Sequence, residues 1–325
     1  MINLDVKLRY YVDEKTVKEE FSTIEVIKEV GIGKNQTKQI VYSNKESGFY
    51  KNSALITNAM LDNLEFFISI VGQYVLGVNM AQTLQVYDMD NNPMGIISKN
   101  VAQDNERLIT FSNLNQLLID TKNLEIQLIA NQISELHQKT KQTFFNSRGE
   151  PRIESVLENE EDIKLAIDMF PMALDYLNLP EMEKEEIKKD YFKMIILDLV
   201  TGQIDRNNDN YGIVANPETD KSRFAQLFDN STIHIPGLPT NFYYINGFLI
   251  DRKQMINCLL SNYGEYATDI IGNMVDNRDE IISRTEHFAS QELSQTEKKW
   301  FMTIFKNNLD TMSEVTIEKR NSTKK

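Results

Sequence analysis

Residues 193–214 read KMIILDLVTGQIDRNNDNYGIV, and the reading of this stretch decides the fold. An apolar run with helical spacing gives way to DRNNDNYG (205–212), which sets Asp205, Asn207 and Asp209 at alternate positions. Such a loop can hold calcium, serve phosphoryl transfer or simply turn the chain. The calcium reading fails, because an EF-hand loop needs Gly at its sixth position and a bidentate Glu at its twelfth. Those positions hold Asn210 and Asn216. A plain turn would suit Asp and Asn, whose side chains bond their own backbone. A phosphoryl-transfer site asks for more: an aspartate that accepts or orients the nucleophile's proton, an Asn that lends an amide oxygen to magnesium, and a second metal-holding aspartate. Asp205 and Asn210 have a suitable offset, and RFAQLFDNS (223–231) places Asp229 at the end of an apolar, strand-like stretch.

The composition around this stretch bounds the rest. With 41% apolar and 26% charged residues, the 325-residue chain has the profile of a soluble globular protein. Its 13 Gly and 7 Pro fall below the usual share of about 7% and 5%, so few tight turns and much helix are expected. Cys258 has no second cysteine to pair with and reads as a buried small apolar residue. A net charge of −13 argues against nucleic-acid or anionic-membrane binding, which needs a cationic surface. The run FFISIVGQYVLGV (66–78) is shorter than the roughly 20 residues of a membrane helix and reads as a core helix. The start, MINLDVKLRYYVDEK, lacks the basic and apolar blocks of an export signal, so a cytoplasmic location without a membrane span is expected.

Segment lengths divide the chain near residue 112. Before it, KQIVY and GFYK read as short strands, residues 61–78 as a helix, and LQVYDMDNNPMGIIS as strand, turn and strand. After it, helical runs dominate, interrupted by two strand-like stretches, YGIVA and RFAQLFD. The acidic stretches LENEEDIK and EMEKEEIKKD read as solvated helix faces. An α+β chain is therefore expected, with one part at 1–112 and a helical part at 113–325.

The motifs together resemble the HipA-like serine/threonine kinases, including the short bacterial relatives called cell-translocating kinases. That family carries a helix running into D-R-H-x-x-N-aromatic-G and then a strand ending in F-D-N; here the matches are residues 193–214 and LFDNS. Upstream it carries an N-Q-x-K loop, a short strand bearing a lysine, a helix with an early Glu, and a G-[IV]-[IVL]-S-K strand. The corresponding stretches are GIGKNQTKQIVY, GFYK, LDNLEFFISIVGQYVLGV and MGIISKNV. In family order, the matches run over about residues 30–235.

The resemblance implies a bilobed protein-kinase-like fold, with a small sheet-containing N-lobe that binds nucleotide phosphates and a larger helical C-lobe. It implies ATP and Mg2+ as cofactors, Asp205 as catalytic aspartate, Asn210 and Asp229 as magnesium ligands, Lys51 as phosphate anchor, and Glu65 as its positioning partner. Gly31, Gly33, Asn35, Gln36 and Lys38 would form the loop over the nucleotide, where backbone N–H groups approach phosphates. The expected acceptor is a protein Ser/Thr hydroxyl, with Thr37 as one autophosphorylation site and an antitoxin-like or regulatory protein as partner. The chain departs from the pattern at Asn207, where the family has histidine. That substitution keeps open a nucleotide-binding pseudokinase, and the shared D-R-H-x-x-N pattern keeps open a phosphoinositide or small-molecule kinase. His234 lies just beyond Asp229, near the expected acceptor. Gly31 and Gly33 lack the third glycine of a dinucleotide fold.

Overall fold

The computed structural model describes residues 9–12, 37–42, 46–52, 59–88, 90, 93–103, 105–120, 124–146, 148–204, 206–230 and 240–322. Five strands, β1 (Arg9–Val12), β2 (Thr37–Tyr42), β3 (Glu46–Asn52), β4 (Thr83–Asp88) and β5 (Pro93–Lys99), form one sheet in the order β1-β4-β5-β3-β2. Its pairs are antiparallel except β1 with β4. Helix α1 (Ala59–Ile70) interrupts it in sequence and continues as a π-helical turn, Val71–Val75. Leu64 to Ile70 are all buried, so this helix is enclosed on every side, as its almost unbroken apolar sequence requires.

Strand β6 (Arg107–Thr110) lies before the expected boundary at 112, yet pairs antiparallel with β9 (Gly212–Asn216), which in turn pairs with β10 (Lys221–Phe224). Helices α2 (Phe111–Asp120), α3 (Leu124–Lys139), α4 (Glu160–Asp175), α5 (Glu181–Thr201), α6 (Arg252–Asn262), α7 (Gly264–Asp276), α8 (Arg278–Glu292) and α9 (Gln295–Ser322) supply most of the remainder. The LENEEDIK stretch caps α4: Asn159 Oδ1 accepts from the Asp162 N–H at 2.8 Å, and three acids occupy the first turn, where the helix dipole favours them. Residues 194–201 of α5 are wholly buried, so the apolar run that opened the sequence reading is the central helix of the core.

Two expectations are corrected. Residues after 112 contain more than two strand-like interruptions: β7 (Lys141–Phe145), β8 (Pro151–Leu157), β11 (Phe242–Ile245) and β12 (Phe248–Asp251) form a further sheet, in the order β11-β12-β8-β7. The stretch RFAQLFD is not one strand, because β10 ends at Phe224. Residues 225–228 are held instead by the Ala225 N–H to Gly212 O (2.9 Å) and by Leu227, which exchanges backbone bonds with Asn79 and Ala81. Cys258 is buried, as read. Among the described residues no helix is long and apolar enough to cross a membrane.

Candidate active site

The site begins with Lys51 on β3, whose neighbours in register are Thr37 on β2 and Ile96 on β5. Pairing on both sides fixes its backbone. Its Nζ lies 2.5 Å from Glu65 Oε2 and 2.9 Å from Asp229 Oδ1. Glu65 comes from α1 and is 1% exposed, so its charge depends on this partner. Burial pulls the Lys51 ammonium down, but the carboxylates of Asp229 and Glu65 more than offset it and hold its pKa above the ordinary lysine value. Lys51 in turn holds the Asp229 carboxyl below its usual range, against the opposing effect of burial. Asp229 is therefore ionised near neutral pH.

Asp229 itself sits in the left-handed region, with φ +53°. Few residue types enter it, and Asp and Asn are among them. Two residues upstream, Leu227 is stitched to residues 79–81, and the Gln203 side-chain amide donates to the Asp229 carbonyl at 3.3 Å.

Arg206 joins this segment to the DRNNDNYG loop. The side chain is fully buried. It grips Asp198 of α5 in a bidentate pair, through Nε at 2.8 Å and Nη2 at 2.7 Å. The remaining donor positions reach the Asn210 carbonyl (3.2 Å), the Phe228 carbonyl (3.3 Å) and Asn230 Oδ1 (2.6 Å). Burial opposes the guanidinium charge, and Asp198 outweighs it, so the group stays cationic. Tyr243 O–H adds a bond to Asp198 Oδ2 at 3.2 Å, and Arg252 donates to the Asp198 and Leu199 carbonyls. One buried cation thus holds the carbonyl of Asn210 and, through Phe228 and Asn230, both neighbours of Asp229, the two predicted metal ligands.

Within the loop, Asn207 Oδ1 accepts from the Asp209 N–H at 2.9 Å, and the Asn210 N–H donates to the Asn207 carbonyl at 3.0 Å. The residue standing where the family has histidine is thus a turn-former here. The loop is tied to α2 as well, through Ser112 N–H to Asn208 O and Phe111 N–H to Tyr211 O, both 2.9 Å.

Of the residues predicted from sequence, Lys51, Glu65 and Asp229 meet directly, and Asn210 is linked to them through Arg206. Only the backbone of Lys38 is described, in register with Tyr50 beside Lys51. Asp205, Gly31, Gly33, Asn35, Gln36 and His234 lie outside the described residues. Arg206, Asp198 and Asn230 were given no role from the sequence. A carboxylate inside the apolar run MIILDLV, eight residues before an arginine, was the available signal.

Oxygen donors from an amide and a carboxylate suit a hard cation, and magnesium commonly takes only one or two carboxylates beside phosphate and water. The Asp229 side chain is 46% exposed, which leaves it accessible to such an ion. Among the described residues no cluster of three or more His, Cys, Asp or Glu forms a closed metal cage.

No protein-family model matches the sequence, and no curated protein matches it. Solved structures do. The proinflammatory kinase CtkA of Helicobacter pylori superposes with a TM-score of 0.56 at 15% identity, over 91% of this chain and 96% of that one. The chain has the fold of that kinase. HipA of Shewanella oneidensis MR-1, solved with HipB and operator DNA, aligns over 92% of this chain and 69% of that one, at TM-score 0.46 and 12% identity. An aminoglycoside phosphotransferase from Alicyclobacillus acidocaldarius aligns at TM-score 0.20 and 9% identity, over 93% and 95% of the two chains.

Proposed function

We propose that the chain is an ATP- and magnesium-dependent kinase of the HipA-like type, transferring the γ-phosphoryl group to a protein Ser/Thr hydroxyl. The observation that carries this reading is Lys51, held on an interior strand of a sheet between a buried helix carboxylate and the half-exposed carboxylate of a left-handed Asp229. In this reading the five-stranded sheet and α1 form a phosphate-covering lobe, and the helices carry the catalytic loop.

Lys51 would anchor the triphosphate, with Glu65 fixing the direction of the ammonium. Asp205 would accept the proton of the acceptor hydroxyl as its oxygen bonds to the γ-phosphorus and the bond to the β-phosphate oxygen breaks. Asn210 and Asp229 would hold magnesium, which when bound neutralises charge on the phosphate oxygens. Arg206 keeps the two metal-bearing segments at fixed separation, so orientation is settled before substrate arrives.

The test is transfer of label from radiolabelled ATP to the protein itself and to a generic Ser/Thr substrate. Transfer is expected, lost in Asp205→Ala and reduced at least 100-fold in Lys51→Ala. Stabilisation by magnesium-nucleotide with no transfer to any acceptor would replace this reading with a nucleotide-binding pseudokinase. Transfer to phosphoinositides and not to proteins would move the acceptor to lipid.

A further inference from the structure

Helices α2, α3 and α4 line a half-open pocket of about 310 Å³ that contains none of Lys51, Glu65, Asn210 or Asp229. Its walls are apolar, with Phe111 and Leu118 from α2, Ile126 and Ile133 from α3, and Met169 and Met172 from α4. Asn115, Ser134 and Gln138 add uncharged hydrogen-bonding groups, and His137 joins them with its pKa lowered by burial and by Lys141. No Asp, Glu, Lys or Arg among the described residues lines it.

These features restrict the ligand. A charged group seated among these side chains would find no counterion among the described lining residues. A purely apolar one would leave the polar side chains without new partners. The volume falls at the lower end of known small-molecule pockets, which span about 300–1,000 Å³, and two methionines give the wall adaptable shape. We propose that this cavity binds a neutral amphiphilic small molecule, an apolar body with one hydrogen-bonding head. The inference stands apart from the phosphotransfer reading.

The probe is N-phenyl-1-naphthylamine, a neutral aromatic amine whose emission rises in apolar surroundings, titrated into the full chain. Saturable binding at one site per chain is expected, and magnesium-ATP should not displace it. Ala130→Trp fills the cavity from α3 and should weaken binding at least tenfold with a cooperative melt retained. Should that variant not melt cooperatively, Ile129→Glu, at a half-buried lining position, introduces a charge and should weaken binding by the same factor. Leu128→Glu, on an exposed position that does not line the cavity, should leave it unchanged. Absence of saturable binding, displacement by magnesium-ATP, equal loss in Leu128→Glu, or no loss in either lining variant would overturn the proposal.

Discussion

At Asp229, a backbone φ of +53° and an ion pair with Lys51 constrain one residue for separate reasons. Asn tolerates the same backbone, so Asp229→Asn removes charge with little strain, whereas a β-branched replacement would add about 1–2 kcal/mol. Asp229→Asn is expected to melt within a few degrees of the parent and to lose at least 100-fold in phosphotransfer, read by label incorporation. Gly212 has a different constraint: a Cβ there would stand 2.2 Å from the Ile109 carbonyl oxygen and 2.7 Å from Thr110 Cα. Both are backbone atoms of β6, which cannot swing aside. Gly212→Ala should cost about 1–3 kcal/mol in denaturant unfolding, the range of overpacked cores. His137 gives a pH signature. It stacks on Phe248 with ring centroids 3.9 Å apart, and burial, reinforced by Lys141, lowers its pKa from the ordinary 6.5. The unfolded chain then binds more protons in the window below 6.5, so stability should fall as pH drops through it. In His137→Phe that slope should flatten, as measured by denaturant midpoints at successive pH values.

Among the elements, the Asp198–Arg206 pair carries the largest expected effect. Removing one partner strands the other charge in the core, and Arg206→Ala or Asp198→Ala should each cost about 3–5 kcal/mol. Because both variants break one pair, the double variant should cost less than their sum, measured by a double-mutant cycle. This pair shows how far the sequence could be read. The offset of Asp205, Asn210 and Asp229 and the place of Lys51 before the α1 glutamate were visible along the chain, because local spacing and strand–helix order carry them. The guanidinium that ties Asn210 to the neighbours of Asp229 was not, since Arg206 finds partners on three segments that only the folded chain brings close. Strands β11 and β12 were legible in principle: FYYINGFLID has an Asn-Gly pair between apolar runs, and Asn246 and Gly247 adopt φ +53° and +87°, as a tight hairpin turn requires. The parallel pairing of β12 with β8, where Ile250 stands opposite Leu157, had no such local mark.

Across the whole molecule one apolar cluster runs from Leu64 on α1 to Val315 on α9. Together with β6 pairing to β9, it binds sequence-distant elements into a shared core. Scanning calorimetry should therefore show one transition for the full chain, and residues 113–325 alone, which lack β6 and α1, should not melt cooperatively. Within this core two attachments of α1 stand close together in sequence. Glu65 holds Lys51, while Asn63 donates to Glu297 at 3.2 Å and Phe67 meets Phe301 edge-on at 4.9 Å. Glu297 also closes a capping box with Ser294 at the start of α9, so its carboxylate is shared between two helices. Seen mechanically, Glu65 is set between two footholds: Asn63 and Phe67, one on either side of it, both bear on α9, so the carboxylate that receives the lysine projects from the part of α1 that is clamped to residues 297–301.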